Sequence, residues 1–126
     1  MPVKIVIVDD SVSIRRSVAE MLGEYPDLVL VGEAGCVEDG LRTIVEQKPD
    51  VVVLDIIMPG GSGLGLINPV KLLYPRCRVI MLSNHTDEWI RRQAQTYGAD
   101  HFLDKTFEFE QLADVIRTSA AVLPEQ

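Results

Sequence analysis

Residues 51–59 read Val51-Val52-Val53-Leu54-Asp55-Ile56-Ile57-Met58-Pro59, and the first four of them decide the fold. Four consecutive apolar residues, three of them β-branched, end abruptly at a carboxylate. Such a run has no side made for solvent, which is the pattern of a strand in a parallel sheet covered by helices on both faces. Lys4-Ile5-Val6-Ile7-Val8 and Arg78-Val79-Ile80-Met81-Leu82 have the same character. Leu28-Val29-Leu30-Val31 and His101-Phe102-Leu103 are shorter and weaker, and suit edge positions.

Helical periods fill the gaps between these strands. Ile14, Val18, Met21 and Leu22 follow an i, i+4, i+7, i+8 stripe, and Val37, Leu41, Ile44 and Val45 repeat it. Leu66, Val70 and Leu73 predict a third helix, Ile90, Ala94 and Tyr97 a fourth, and Leu112, Val115, Ile116 and Leu123 a fifth. Pro26, Pro49, Pro75 and Gly98 fall between helix and strand, while Ser11, Ser62 and Thr86 stand where N-caps are expected. Five βα units predict the α/β class: an open, doubly wound, five-stranded parallel sheet. No linker, repeat or low-complexity stretch divides it, so residues 1–126 are read as one domain.

Composition narrows the function. With 12 Lys plus Arg against 19 Asp plus Glu, the net charge of −7 argues against direct nucleic-acid binding, which needs a basic footprint. A content of 47% hydrophobic and 25% charged residues supports a packed core and excludes a disordered chain. Cys36 and Cys77 lack CxxC spacing and read as two reduced thiols. No signal peptide is visible and no apolar run approaches the roughly 20 residues of a membrane span, so no membrane partner and a cytoplasmic location are expected.

Ligands of such sheets bind beyond the carboxyl ends of the strands. There the sequence puts Asp9 and Asp10 after the first strand, Asp55 after the third, Ser83 after the fourth and Lys105 just past the fifth. Alone, each has an ordinary explanation: an Asp caps a helix, a Ser caps a turn, a Lys is solvated. Together they are complementary. Two carboxylates about 4 Å apart repel by roughly 4 kcal/mol at an effective dielectric near 20, so three of them need a counter-charge. A hard divalent cation such as Mg2+ (or Mn2+), together with Lys105, would supply it.

At these residues the chain resembles a response-regulator receiver domain of two-component signalling, of the stand-alone, chemotaxis-regulator-like kind. The resemblance rests on four motifs in order. They are Val8-Asp9-Asp10-Ser11, then Leu54-Asp55-Ile56-Ile57-Met58-Pro59 followed by Gly63, then Met81-Leu82-Ser83, and last Gly98-Ala99-Asp100-His101-Phe102-Leu103-Asp104-Lys105. It implies a flavodoxin-like (βα)5 fold with strand order 2-1-3-4-5. It also implies that Asp55 accepts a phosphoryl group from a sensor histidine kinase or histidine phosphotransfer protein. Mg2+ would be bound by Asp10 directly, by Asp9 mostly through water, by Asp55 and by the backbone carbonyl of Ile57. Lys105 would pair with Asp55 and then with the phosphoryl oxygens. Ser83 would hydrogen-bond the phosphoryl group and Phe102 would follow it, altering the surface of helix four, strand five and helix five. The protein would then be a phosphoacceptor that assists its own phosphorylation and slow dephosphorylation, rather than an enzyme with a separate substrate. A phosphorylation-dependent homodimer is left open, and the downstream protein target is unnamed.

The chain departs from that family at informative places. Thr106 follows Lys105 where a proline joined by a cis bond is common, so the loop differs or stores strain. Asn84 stands where a small residue is usual and would narrow access to the phosphoryl group. Ile57, Asn84 and His85 are candidate modulators of phosphoryl lifetime, since isoleucine cannot orient water. Trp89, His101, Phe107 and Phe109 are candidate partner contacts, although isolated exposed aromatics need no such role.

Three rivals fail on chemistry. Asp9-Asp10 would repel the phosphate of a flavin. Gly60-Gly61-Ser62-Gly63-Leu64-Gly65 lacks the Lys-Ser/Thr of a nucleotide loop and is read as a mobile loop beside Asp55. An aspartate-nucleophile phosphatase needs a DxD after the first strand. The remaining alternative is an adaptor with the receiver fold that signals by protein contact without phosphorylation. Residues 1–126 are expected to hold no output domain, as either a stand-alone receiver acting by protein contact or an excised piece of something longer.

Overall fold

The computed structural model describes residues 2–121. Its parallel sheet holds β1 (Val3–Val8), β2 (Leu28–Ala34), β3 (Val51–Leu54), β4 (Arg78–Ser83) and β5 (His101–Asp104), in the order β2-β1-β3-β4-β5. The helices are α1 (Val12–Leu22), α2 (Val37–Gln47), α3 (Leu64–Leu73), α4 (Glu88–Tyr97) and α5 (Leu112–Ala121). This is the doubly wound, flavodoxin-like arrangement expected.

Alternation along the three central strands builds two cores. Val6, Val8, Val52, Leu54, Val79 and Met81 meet Ile44 of α2, Leu66, Ile67 and Val70 of α3 and Ala94 of α4. Their neighbours Ile5, Ile7, Val51, Val53, Ile80 and Leu82 point the other way, onto Val18 and Leu22 of α1 and Leu112, Ala113 and Ile116 of α5. Each fully buried aliphatic side chain contributes about 1.5–3 kcal/mol relative to exposure, so the uninterrupted apolar runs are what hold the centre of the sheet.

The structure revises several local expectations. Strand β2 continues three residues past Val31, because a bulge between Ile5 and Val6 lets Gly32, Glu33 and Ala34 rejoin the ladder. Val45 and Leu73, placed on the apolar stripes, are exposed, whereas Ile67 is fully buried. Leu123 lies outside the described residues. Ser11 caps α1, its hydroxyl accepting the Ile14 N–H at 3.2 Å. Ser62 sits one residue too early, since Gly63 is the residue before α3. Asp87 rather than Thr86 caps α4, because its carboxylate reaches the Ile90 N–H at 2.9 Å. The glycine-rich run is a hairpin in which Ile57–Met58 pairs antiparallel with Gly61–Ser62. Gly60 and Gly61 turn it at φ +85° and +149°. Among the described residues no helix is long and apolar enough to cross a membrane.

Candidate functional site

Parallel pairing of β1, β3, β4 and β5 carries the residues that follow each strand to one edge of the sheet. The Asp55 N–H donates to the Val8 carbonyl at 2.9 Å and the Lys105 N–H to the Ser83 carbonyl at 3.0 Å, so the ladder extends into the site itself. Asp9, Asp10 and Asp55 converge there, each offering a carboxylate oxygen within 4.8 Å of the others. Asp9 and Asp55 are buried, whereas Asp10 faces solvent.

Lys105 is the counter-charge. Its ammonium lies 2.7 Å from Asp9 Oδ2 and 3.0 Å from Asp55 Oδ2, with the lysine side chain only 9% exposed. At these distances each attraction is worth roughly 6 kcal/mol at an effective dielectric near 20, against about 3–4 kcal/mol of repulsion for each carboxylate pair. One ammonium therefore holds the buried pair together, while the trio with Lys105 still carries two excess negative charges. Burial pushes the Asp9 carboxyl above its ordinary value, an effect that Lys105 and the Ser11 N–H only partly offset. Burial alone would lower Lys105, but the two carboxylates outweigh it and hold the ammonium above its ordinary value.

The remaining carboxylate oxygens are held by backbone. Asp9 Oδ1 accepts the Ser11 N–H at 2.8 Å and Asp55 Oδ1 accepts the Ile56 N–H at 2.8 Å. Asp9 Oδ2 is different: it is buried, paired electrostatically with Lys105, and receives no hydrogen bond of good geometry. A buried carboxylate oxygen whose close partner is one ammonium, beside two further carboxylates, belongs to a donor set suited to a hard divalent cation such as Mg2+.

Ser83 is fully buried at the end of β4, and its hydroxyl accepts the His85 N–H at 3.0 Å. Ile57, Asn84 and His85 are exposed around the rim. Phe102 is half-buried against the α4-side core. Trp89, His101 and Phe107 are exposed, while Phe109 packs against the α5-side core.

The loop after Lys105 departs from proline for a visible reason. Every peptide bond among the described residues is trans. Asp104 Oδ1 accepts the N–H of Thr106 at 2.7 Å and of Phe107 at 3.0 Å, closing a turn in which residue 106 must be a donor. Proline has no N–H to give. The Thr106 hydroxyl also meets Asn84 Oδ1 at 3.1 Å.

Two further residues hold the site: Arg15, which the sequence reading leaves out, and Gly63, which stands there only as the glycine closing the second motif. Arg15 donates to the Asp9 carbonyl at 2.6 Å and pairs with Glu33 at 3.2 Å, fixing the acidic loop from α1. The Gly63 N–H holds the Ile56 carbonyl at 2.7 Å, and a Cβ at Gly63 would fall 1.7 Å from the Asp55 carbonyl oxygen. A glycine eight residues past the acidic strand end was the only available signal for the second. The first left none beyond a basic residue in the first turn of the helix.

The profile of the response regulator receiver domain family matches residues 5–117. The chain belongs to that family, the receiver domains of two-component response regulators. The receiver of this chain is 32% identical over 119 residues to the DNA-binding transcriptional activator DevR/DosR of Mycobacterium tuberculosis, covering 94% of this chain and 55% of that protein. It is 34% identical over 122 residues to the nitrate/nitrite response regulator NarL of Escherichia coli, covering 95% of this chain and 56% of NarL. The chain thus spans about half the length of these two relatives. Among solved structures, the response regulator domain of Thermotoga maritima CheB superposes with a TM-score of 0.89 at 30% identity, covering 98% of this receiver and all of that chain.

Proposed function

We propose that this receiver is a phosphorylation-controlled signalling switch whose phosphoacceptor is Asp55. The observation that carries this is the buried Lys105 ammonium shared between Asp9 and Asp55 at the carboxyl edge of the sheet. A lysine held at the acceptor carboxylate is poised to pair with phosphoryl oxygens once they arrive. Phosphoryl transfer depends mainly on positioning and charge neutralisation, and these residues provide both.

The donor is a phosphohistidine of a sensor kinase or phosphotransfer protein, as is general for the family. The P–N bond breaks as a P–O bond to an Asp55 carboxylate oxygen forms, and the released imidazole nitrogen takes up a proton. Asp9, Asp10, Asp55 and the Ile57 carbonyl would hold Mg2+, or Mn2+ in its place. When bound, that ion neutralises the charge that otherwise keeps a phosphate away from three carboxylates. Lys105, at Asp55 and Asp9, supplies a further positive charge, and Ser83 offers a hydroxyl to the phosphoryl group. The added dianionic charge draws on Ser83 and Lys105, and Phe102 lies behind them toward α4, β5 and α5, the surface read by a partner. In this capacity the receiver is a phosphoacceptor and not a catalyst for a separate substrate.

Intact-mass measurement with acetyl phosphate and Mg2+ tests the assignment. One phosphoryl adduct is expected on the wild type and none on Asp55→Asn. Absence of the adduct on the wild type would favour an adaptor that works by contact alone.

A further inference from the structure

Arg91, on α4, takes no part in phosphoryl transfer, yet it touches three segments at once. Its Nε donates to the Thr86 carbonyl at 3.0 Å. Its guanidinium carbon lies 4.7 Å from the centre of the Phe102 ring. Its Nη2 is 3.8 Å from Glu108 Oε1. Glu108 is itself fixed: the same Oε1 accepts the Asp104 N–H at 2.9 Å, and the Glu108 N–H donates to the Asp104 carbonyl at 2.8 Å.

These contacts trace back to the site along two short paths. Thr86 lies three residues beyond Ser83, and the intervening backbone is tied to the Ser83 hydroxyl through the His85 N–H. Asp104 is the register partner of Ser83 and the residue before Lys105. The loop that follows Ser83 and the loop that carries Lys105 therefore end on one guanidinium, and that guanidinium covers the aromatic ring.

We propose that Arg91 is the positioning residue through which both loops act on Phe102 and α4. This rests on Asp55 being the phosphoacceptor. The chemistry requires arginine. A planar fork can reach a carbonyl and a carboxylate with its edges while its face lies on a ring, whereas a lysine ammonium is a point charge that cannot meet all three. A shift of either loop changes the edge contacts, and the plane that sits on Phe102 turns with them. Glu108 is the second member, tying Arg91 to the Lys105 loop without touching the ring.

Amide 1H–15N spectra of the labelled chain, with and without beryllofluoride and Mg2+, test this alongside phosphoryl uptake by mass. In the wild type, amides across residues 86–92 and 102–108 are expected to shift on activation. In Arg91→Lys, uptake should stay within about threefold of wild type, while shifts along α4 fall by about threefold or more. Glu108→Gln, which keeps an acceptor for the Asp104 N–H but loses the ion pair, should retain the Phe102 response and weaken that of α4. Thermal unfolding of both variants separates coupling from folding, because a merely structural role lowers Tm and leaves the relative shift pattern intact. Wild-type shift amplitudes on α4 in Arg91→Lys would overturn the proposal. So would an α4 that stays unshifted in the wild type while Asp55 loads. A wild type that takes up no phosphoryl group overturns the acceptor assignment and this coupling with it, and the mass arm tells the two failures apart.

Discussion

Gly63→Ala is the sharpest test of how the acceptor is held. Gly63 has φ −58°, which any residue adopts, so the need for glycine is one of space alone. An ideal Cβ there would lie 1.7 Å from the Asp55 carbonyl oxygen and 2.9 Å from its carbonyl carbon. Real Cβ contacts essentially never fall below 3.0 Å, so about 1.3 Å must be found. Both obstructing atoms are backbone, and no rotamer change can provide it. The ladder pins one side, since the Asp55 N–H is bonded to Val8 and the Gly63 N–H to Ile56. The hairpin must therefore lift away, or the end of β3 must tilt and take the Asp55 carboxylate with it. Overpacking of this severity costs about 3 kcal/mol, the upper part of the usual range, or roughly 10 °C in Tm for a domain of this size. A displacement near 1 Å at a reacting group can cost about 100-fold in rate. Urea unfolding and the rate of adduct formation with acetyl phosphate measure the two effects. Gly65→Ala is the control: it lies in the first turn of the same helix with nothing within 4 Å of its Cβ, and should stabilise by about 0.5–1 kcal/mol. If Gly63→Ala matches wild type in both measurements, the close approach to Asp55 has no role in holding the acceptor.

Two further outcomes follow from the charges and the rim. Asp9→Asn, in the presence of a chelator, should raise stability at pH 7 by about 1 kcal/mol, because a carboxylate whose burial outweighs its pairing with Lys105 is lost while Lys105 keeps Asp55. Since the folded-state pKa of Asp9 is raised, the penalty on its ionised form is full above that pKa. The advantage of the variant should therefore shrink as the pH falls through it and vanish below 3.8, as thermal melts at several pH values would show. Loss of stability in Asp9→Asn at pH 7 would refute this account. Ile57→Asn should shorten the phosphoryl lifetime by about two- to tenfold, the worth of one hydrogen bond to the attacking water. The side chain at this position is 56% exposed at the rim, so the change need not disturb the core. Dephosphorylation followed by mass gives the answer, and equal lifetimes would remove Ile57 from the list of modulators.

How much was readable from the chain depended on the range of the interaction. Five strands were legible because β1, β3 and β4 are buried on both faces, and burial on both faces leaves a continuous apolar run. The far half of β2 was not, because Gly32-Glu33-Ala34 has weak strand propensity and rejoins the β1 ladder only past a bulge at Val31. The 57–62 hairpin was not, since two-residue strands carry no periodicity and their pairing rests on backbone angles at Gly60 and Gly61. At the site, strand ends revealed the types and the common edge, which parallel pairing alone enforces. Which oxygen Lys105 meets, and that it meets Asp9 as well as Asp55, depends on a long side chain reaching across 50 or more positions of sequence. The partners of Arg15 and Arg91 lie only 5 to 18 positions away, but they too are chosen by a long side chain and carry no periodic signal.

The departures at residues 84 and 106 show why such choices matter for function. Taken along the chain they are two separate changes, one after β4 and one after Lys105. In three dimensions they are a single contact, the Thr106 hydroxyl on Asn84 Oδ1 at 3.1 Å, spanning the two loops that lead from Ser83 and from Lys105. Residue 106 also gives the N–H that Asp104 requires, so the lost proline is compensated locally as well as across the loops. Arg91 joins the same two loops on their other side, through Thr86 and Glu108. The two loops are thus tied to each other at two points, one on each side. Both loops begin beside the negative charge gathered at Asp9, Asp10 and Asp55. Under the proposed function, a phosphoryl group on Asp55 would change the charge that Ser83 and Lys105 face, and the two ties predict that the loops answer together rather than independently.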